Sequence, residues 1–371
     1  MASITKRANG KYRARYRDAA DKEHARHFNR KVDAQRWLDE VTASVVRGDY
    51  VEPRAGRITV GEYAKPWLEA RVHLKPKTVA GYESLLRTRV LPRWSDVPLD
   101  RVTFDGVSAW VTAMVAEELS ASRTQQAYHL LTSMLDDAVK GSRIPRNPAR
   151  GVDLPRIVSK PGRYLTHGQL ADLADASGDY GTLVLVLGYC GIRWGEAAAL
   201  SVRQVDPLRG RIWVVESVTE VNGVLIFGTP KAHQSRSVPV PGFLREQLAA
   251  AMAGKVPDDR LFTSRDGSVL RNGNFRRDVF DRAARSVDLA GFTPHELKHT
   301  AASLAITAGA SVKAVQRMLG HASATLTLDR YGHLFGDELD SVADRLDQHR
   351  ADFSRTPRGL ATVTPLAVED Q

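Results

Sequence analysis

The stretch 293–335 constrains the fold of this chain most, because strong helix signals there enclose a cluster of reactive side chains. Thr293 and Glu296 form a capping-box pair around Pro294, which suits the first turn of a helix. Apolar residues then recur at helical spacing as far as Gly309, a common residue just past a helix end. The sequence therefore predicts a helix that starts at Pro294 and stops before Gly309.

The reactive side chains gather near the start of this predicted helix. His295, Lys298 and His299 lie three and four residues apart, so they share one face. His321 follows a Leu-Gly pair further on, and Tyr331 comes ten residues after it. Because the N-terminal end of a helix dipole is positive, the cationic face predicts an anion site, with phosphate as the first candidate.

The same residues also fit a zinc site. His295, Glu296 and His299 spell the H-E-x-x-H motif of metalloproteases, in which the histidines bind zinc and the glutamate is the general base. Glu296 already has a role as the capping carboxylate, however, and Lys298 would lie beside the metal ion. We therefore predict no metal here, although the patch alone would also fit ordinary surface or core histidines.

The charge balance predicts a polyanionic partner. The 371 residues carry a net charge of +10, which favours nucleic acid or an anionic membrane surface. No apolar run reaches the roughly eighteen residues that span a bilayer, and the N-terminus lacks the apolar core of a signal peptide. Because Cys190 is the single cysteine, we expect a reducing cytosol and no intrachain disulfide. Because no apolar run is long enough to span a bilayer, we expect no membrane partner.

Residues 1–57 predict a small basic module. Cations alternate with apolar residues from position 11 to position 17, and these cations are Lys11, Arg13, Arg15 and Arg17. A strand with this pattern has one basic and one apolar face, and a helix over 34–45 would cover the apolar face. Such a sheet can enter a DNA groove, although the same charges are also typical of a solvated strand.

The next region, 58–152, reads as helical throughout. A capping box at Thr59 and Glu62 opens the first helix, Pro92 is expected to stop the second, and Ser122 is expected to cap the fourth. Basic residues at the helix ends would contact phosphates if the partner is a nucleic acid, and would otherwise form a solvated surface.

Residues 153–350 predict an α-rich domain with a small antiparallel sheet. A helix is expected to open at Thr166, and the apolar run 182–189 is expected to form a buried helix. Arg193 follows in a glycine-flanked turn, where it needs a carboxylate or phosphate partner, and Glu196 is close enough to steer it.

The same region predicts three strands, at 211–217, 223–227 and 235–240, with the first two joined across Asn222-Gly223. Lys231 falls in the turn between the last two strands. Together with the earlier regions, this gives a mixed α/β chain that is mostly helical, with the residues 351–371 as a tail.

Several segments, in order over about 140 residues, resemble the tyrosine recombinases, or phage-type integrases. The segment 191–196 resembles their first arginine box, 230–239 their hairpin lysine segment and 295–300 their second box. The segment 319–321 is similar to their third box, with Tyr331 as the nucleophile. The helical middle region resembles a core-site DNA-binding domain, and the N-terminal module resembles the arm-site domain of bacteriophage integrases.

The resemblance implies a role for each matched residue. Tyr331 would attack a DNA phosphodiester and form a covalent 3′-phosphotyrosyl link, while Arg193 would bind the non-bridging oxygens. His295 and His321 would hydrogen-bond or shuttle protons at this phosphate, and Lys231 would protonate the departing 5′ oxygen. No cofactor is needed, because the covalent link retains the phosphodiester bond energy.

The supporting residues follow from the same resemblance. Glu196 would hold Arg193, His299 would buttress the site, and Arg236 in the hairpin segment would contact DNA. The chain departs from the family at Lys298, where an arginine is usual. Lysine keeps the charge but loses the bidentate contact to phosphate.

The resemblance further implies a homotetramer on double-stranded DNA with core and arm attachment sites, a host DNA-bending protein and a directionality factor. The place of action would be the bacterial cytoplasm, in association with the nucleoid. The alternatives are a transposon or chromosome-dimer recombinase, and a weakened homologue that only binds DNA. A predicted helix over 337–348 would dock either on a neighbouring protomer or on its own domain.

Overall fold

The computed structural model describes residues 2–18, 21–47, 50, 52, 54–158, 162–230, 235–335, 346–348 and 350–351. The chain divides into two compact units, Met1–Lys160 and Pro161–Gln371. The predicted fold class is confirmed: the chain is mostly helical, with small antiparallel sheets. No helix in the described ranges combines the length and the apolar character needed to span a bilayer.

The N-terminal module is an antiparallel sheet covered by one helix. Its elements are β1 (Ser3–Lys6), β2 (Tyr12–Arg17), β3 (Glu23–Phe28) and α1 (Lys31–Arg47), with the strands in the order β1-β2-β3. Ala14 and Tyr16 of the central strand are buried against Ala34 and Leu38 of α1. The predicted two-faced strand is therefore present, with its arginines on the face away from the helix.

The remainder of the first unit is helical. Its helices are α2 (Val60–Glu69), α3 (Pro76–Leu85), α4 (Leu91–Trp94), α5 (Phe104–Ala116) and α6 (Ala121–Lys140). The predicted capping box at Thr59 and Glu62 is present.

Two predicted helix boundaries in this region are wrong. The helix does not stop at Pro92, because a π-helical stretch leads into α4, where proline fits the first turn. The cap of α6 is Ser120, whose hydroxyl accepts from the Arg123 amide, and not Ser122.

The second unit holds ten further helices or strands before its last helices. They are α7 (His167–Ala176), α8 (Gly181–Cys190), α9 (Trp194–Ala199), β4 (Val205–Asp206), β5 (Arg211–Val214), β6 (Ser217–Val221), β7 (Val224–Gly228), β8 (Arg236–Pro239), α10 (Arg245–Met252) and α11 (Asn272–Phe275). The last helices are α12 (Asp281–Ser286), α13 (Leu297–Thr307), α14 (Val312–Leu319) and α15 (Ala324–Tyr331).

The strands of this unit form two sheets, β4-β5-β8 and β6-β7, rather than one run of three strands. The predicted strand 211–217 is split because the chain leaves the first sheet after Val214 and enters the second at Ser217. Between them, Glu216 forms an ion pair with Arg260. The predicted turn at Asn222-Gly223 is confirmed, and both of its residues have positive φ, as a tight hairpin requires.

Helix α13 starts three residues later than predicted. The residues 294–296 form a turn, in which the amides of Glu296 and Lys298 donate to carbonyls three residues back. The Glu296 carboxylate accepts from the Thr293 amide at 2.8 Å, but the Glu296 amide donates to the Thr293 backbone carbonyl and not to its hydroxyl. Only half of the predicted capping box is therefore formed, because the Thr293 hydroxyl donates to the same carboxylate. The predicted end is confirmed, since Gly309 has φ +84° just past α13.

Two glycines allow close contacts around the site. Gly191 ends α8 with φ +63°, and a Cβ there would lie 2.6 Å from Leu319 Cδ2. Gly320 ends α14 with φ +61°, and its Cβ would lie 3.1 Å from the Arg236 guanidinium. Any larger residue at either place would strain the backbone and displace a neighbour. The turn that carries Arg193 and the turn that carries His321 are thus held close together.

Candidate active site

Arg193 lies in the turn between α8 and α9. Its guanidinium donates to Glu196 Oε1 at 2.9 Å and to the Gly320 carbonyl at 3.0 Å. The Glu196 carboxylate also accepts from the Arg193 backbone amide at 2.8 Å. The backbone of Arg193 is therefore fixed by Glu196 of α9, and its guanidinium is fixed by the carbonyl of Gly320 at the end of α14. The carboxylate partner expected from the sequence is Glu196.

Arg236 lies on the other side of the same carboxylate. Its two terminal nitrogens donate to Glu196 at 3.0 and 2.6 Å, and its Nε donates to the Met318 carbonyl at 3.1 Å. The DNA contact of Arg236 stays a prediction; in this structure its guanidinium is turned inward, where it donates to Glu196 and to the Met318 carbonyl. The pattern of the sequence gave no sign of this pairing, because 40 residues separate the partners.

Glu196 thus serves two guanidinium groups while its side chain is only 1% exposed. Burial by itself would raise the pKa of this carboxyl. The hydrogen bonds from Arg236, and then the charge and backbone amide of the two arginines, outweigh burial and hold the pKa below its usual range. Glu196 therefore stays ionised and neutralises part of the positive charge in the site.

Lys298 is the least compensated cation of the cluster. The residue is only 6% exposed, and its ammonium has no hydrogen bond or ion pair within the described part of the chain. Burial first, and the charge of Arg193 second, lower its pKa to about 7. A buried cation without a partner is costly, so this position is suited to an anion that arrives from outside.

The three predicted histidines surround the tyrosine. His299 Nδ1 lies 2.7 Å from the Tyr331 hydroxyl, and the His295 ring lies edge-on to the His299 ring with 5.6 Å between centroids. The His321 ring is parallel to the Tyr331 ring at 6.3 Å, and its Nδ1 lies 3.0 Å from Thr327 Oγ1. The second and third boxes therefore meet at the phenol.

Burial and the surrounding cations keep these imidazoles neutral. The pKa of His299 and that of His321 are both lowered to about 4, and the pKa of His295 is also lowered, in each case chiefly by burial. The charge of Lys298 adds to the effect at each of the three rings. At neutral pH the rings can therefore accept protons as well as donate hydrogen bonds.

Tyr331 is the last residue of α15 and is only 3% exposed. It packs in a small apolar cluster with Ala302 and Ile306 of α13 and with Leu319 of α14. Burial raises the pKa of its phenol to about 12, and the charge of Arg330 opposes this rise. The nucleophile expected from the sequence is therefore held rigidly and is protonated in the free protein.

Arg330 is a residue that sequence analysis missed. Its positive charge lowers the pKa of Lys298, of Tyr331 and of all three histidines, so it lies near every one of them. The side chain itself is exposed. Its position directly before the nucleophile was the available signal. Lys231, the predicted acid, lies outside the described residues.

Glu296 is not positioned as a metalloprotease base. Its carboxylate accepts from Thr293 and pairs with Arg163 at 2.8 Å. Across the described ranges, no group of three or more histidine, cysteine, aspartate or glutamate side chains is arranged to hold a metal ion.

The N-terminal cations predicted to bind DNA lie in the other unit. Arg13 and Arg15 pair with Glu23 at 3.1 and 3.6 Å, and Arg17 pairs with Asp21 at 3.1 Å. Lys11 is exposed at the start of the same strand segment. Their face is therefore solvent-facing and partly neutralised.

Comparison with known proteins agrees with this site. Residues 163–337, which include every predicted catalytic position, match the Phage integrase family. The integrase of Mycobacterium phage D29 is 25% identical to this chain, over 98% of each protein. The Tn1549 transposon integrase, solved in complex with a circular intermediate DNA, has a TM-score of 0.67 at 21% identity and covers 81% of this chain and 100% of that one.

A lambda integrase tetramer bound to a Holliday junction has a TM-score of 0.55 at 18% identity, over 87% of this chain and 96% of the lambda chain. The fold, the family match and the buried tyrosine define an enzyme of the tyrosine recombinase class, which acts site-specifically. Within that class, residues 163–337 of this chain form a domain of the phage integrase type.

Proposed function

We propose that this enzyme integrates and excises phage DNA through a covalent 3′-phosphotyrosyl link on Tyr331. The observation that supports this most strongly is the meeting of four sequence segments around one phenol. Arg193, the segment 295–299, His321 and Tyr331 lie in one cluster, although the first and last are far apart in the chain. Because a reacting phosphodiester gains charge in its transition state, such a cluster of cations and hydrogen-bond donors stabilises it.

Each side chain has a place in this reaction. Arg193, held by Glu196, directs its remaining N–H donors to the non-bridging oxygens, and Lys298 supplies a second positive charge. His295 and His321 donate hydrogen bonds to the same phosphate. Lys231 would protonate the 5′ oxygen as it leaves. Attack by a second 5′ hydroxyl reverses the step and releases the tyrosine, so the reaction needs no external energy source.

The covalent intermediate gives the direct test. A core-site duplex with a nick near the cleavage position loses a short fragment after cleavage, so the adduct is trapped and migrates as a shifted band on a denaturing gel. We expect this band with the natural chain and none with Tyr331→Phe. DNA binding by both proteins, without a shifted band from either, would instead favour a homologue that only occupies DNA.

Lys298 bears on how fast the adduct forms. A lysine in place of a bidentate arginine loses one to a few kcal/mol of transition-state stabilisation, or about tenfold or more in rate. We propose that activity is retained, because Lys298 keeps its charge near the cluster and Arg330 adds another. An adduct from Lys298→Arg with none from the natural chain would contradict this proposal.

We further propose that the substrate is double-stranded DNA with core and arm attachment sites, bound by a homotetramer. In this proposal residues 1–57 bind arm sites, 58–152 bind core sites, 153–350 form the catalytic domain and 351–371 form a tail. The tetramer of lambda integrase on a Holliday junction supports the assembly by analogy. A host DNA-bending protein, a directionality factor and a location at the bacterial nucleoid complete the proposal. The predicted docking helix over 337–348 lies almost entirely outside the described residues.

A further inference from the structure

The proposed reaction leaves one proton without a destination. Tyr331 must lose its phenolic proton to attack, yet its pKa is raised to about 12 by burial. At pH 7 a group with this pKa is ionised in only about one molecule in 10⁵. The site therefore needs a base that takes the proton during attack.

One nitrogen is positioned to receive it. The Tyr331 hydroxyl makes a single hydrogen bond within the described ranges, to His299 Nδ1 at 2.7 Å, which is within the reach expected of a general base. Both rings are fixed by their helices, since His299 lies in the first turn of α13 and Tyr331 ends α15.

The other potential bases near Tyr331 make hydrogen bonds or ring contacts to different residues. His321 Nδ1 is bonded to Thr327, and its ring is parallel to the phenol within 3°, so its in-plane nitrogens do not point at the hydroxyl. His295 contacts the His299 ring and makes no bond to Tyr331. The Glu296 carboxylate is taken up by Thr293 and Arg163.

We propose that His299 is the general base of strand cleavage, which rests on the function proposed above. The phenolic O–H bond breaks and an N–H bond forms at His299 Nδ1 as the phenolic oxygen bonds to phosphorus. The bond from phosphorus to the 5′ oxygen breaks, and that oxygen leaves with the proton that we assigned to Lys231. In the resealing step the His299 imidazolium returns its proton to the tyrosine oxygen.

The surrounding charges make this base dependent on DNA. In the free protein burial, followed by the charge of Arg330 and, to a smaller extent, that of Lys298, keeps His299 a weak base, and Glu296 opposes them only in part. A bound phosphodiester is an anion that offsets these cations, so it strengthens the base. The charge of Arg330 also stabilises the phenolate. Activation of the nucleophile is thereby coupled to the arrival of its substrate.

The test combines His299→Gln with a fluorinated tyrosine at position 331, which has a more acidic phenol. We expect His299→Gln to slow single-turnover cleavage of the nicked duplex by about 10²- to 10⁴-fold, with DNA binding retained. Fluorotyrosine should restore a large part of that loss, because a more acidic phenol needs less help from a base. His295→Gln, the matched control, should not be restored, since its loss is at the phosphate.

Three results would overturn the proposal. They are cleavage by His299→Gln at a rate close to that of the natural chain, no restoration of that variant by fluorotyrosine, and restoration of His295→Gln instead. If His299→Gln does not fold, His299→Ala with added imidazole replaces it, and an absence of rescue by imidazole counts against the base. A natural chain that forms no adduct at all would refute the proposed function itself, which is a separate result.

Discussion

The chain has two regions whose sequences are rich in cations, but the structure shows that these cations differ in exposure and in their ion-pair partners. On the N-terminal sheet, Arg13, Arg15 and Arg17 face solvent and pair with nearby carboxylates. In the second unit, Lys298 is buried without a partner, and Glu196 is shared between two arginines. Exposed ion pairs contribute roughly 0–1 kcal/mol, whereas an uncompensated buried cation is costly. The first region therefore presents solvent-facing and partly neutralised cations, while the second concentrates uncompensated positive charge at one buried position.

Removing one arginine from each region tests whether the two regions act differently. Arg193→Gln removes a fixed donor at the developing charge, so cleavage should fall by about 10²- to 10³-fold. Arg15→Gln should leave cleavage of a duplex without arm sites unchanged. Rates of adduct formation on the nicked duplex measure both. Equal losses in the two variants would show that both regions act at the scissile phosphate.

A slightly smaller effect is expected at Arg236. Its replacement by Gln leaves the buried Glu196 with one guanidinium partner, and breaking a buried pair typically costs about 3–5 kcal/mol of stability. The pKa of Glu196 should rise, and Arg193 should lose its fixed position, so cleavage should fall by about tenfold or more.

The matched control for Arg236 is Arg209→Gln. Arg209 forms an exposed pair with Asp206 at 3.7 Å, so its loss should cost no more than about 1 kcal/mol. Denaturant unfolding and adduct formation test both variants. A normal unfolding midpoint for Arg236→Gln would contradict the buried network.

The unpartnered lysine makes the free enzyme sensitive to pH. The pKa of Lys298 is lowered from 10.5 to about 7, so the cation is lost as pH rises through 7 and kcat/KM should fall about tenfold per pH unit above it. Lys298→Arg should flatten this decline, because arginine stays charged. The pH profile of adduct formation by the two proteins decides the point.

Stability should change in the opposite direction. Between pH 7 and 10.5 the unfolded chain binds more protons at Lys298 than the folded chain, so the free energy of unfolding rises with pH in that window. For His299 and His321 the folded pKa of about 4 lies below the 6.5 of an unburied histidine, so stability falls as pH drops from 6.5 to 4. Unfolding midpoints across these ranges provide the measurement.

The smallest effect is expected on the N-terminal sheet. Arg15→Gln should weaken binding to an arm-site duplex by less than tenfold and to a similar degree on all sequences, because phosphate contacts carry no base information. The slope of log K against log salt should become shallower by about one. Titrations at several salt concentrations would show this. An unchanged slope would mean that Arg15 makes no phosphate contact.

The sequence predicted local structure well where chemistry is local. The capping box at Thr59, the helix start at Thr166 and the hairpin turn at Asn222-Gly223 depend on residues a few positions apart, and all are present. The predicted ends of helices and strands were wrong where contacts with residues distant in the sequence determine them. Pro92 was compatible with a new helical turn, and the strand 211–217 divided because its two ends belong to different sheets.

In the candidate site, too, the sequence predicted the local pairs but not the contacts between distant segments. Motif spacing and family resemblance together identified the residues that lie around the phenol, including the Arg193–Glu196 pair three positions apart. The inward turn of Arg236 could not be predicted, because its partner Glu196 and the Met318 carbonyl lie in other segments. The proximity of Arg330 to the histidines depends on how α15 approaches α13, and its position directly before Tyr331 was the one local sign of it.

The glycine at position 191 gives the site an unusual vulnerability. One methyl group there would act as a wedge against Leu319. Because Leu319 leads directly into the turn of Gly320 and His321, the added methyl group would move the His321 ring without changing any charge. A substitution at Gly191 would therefore be expected to lower the rate of cleavage through a steric change alone, with every charged group of the site retained.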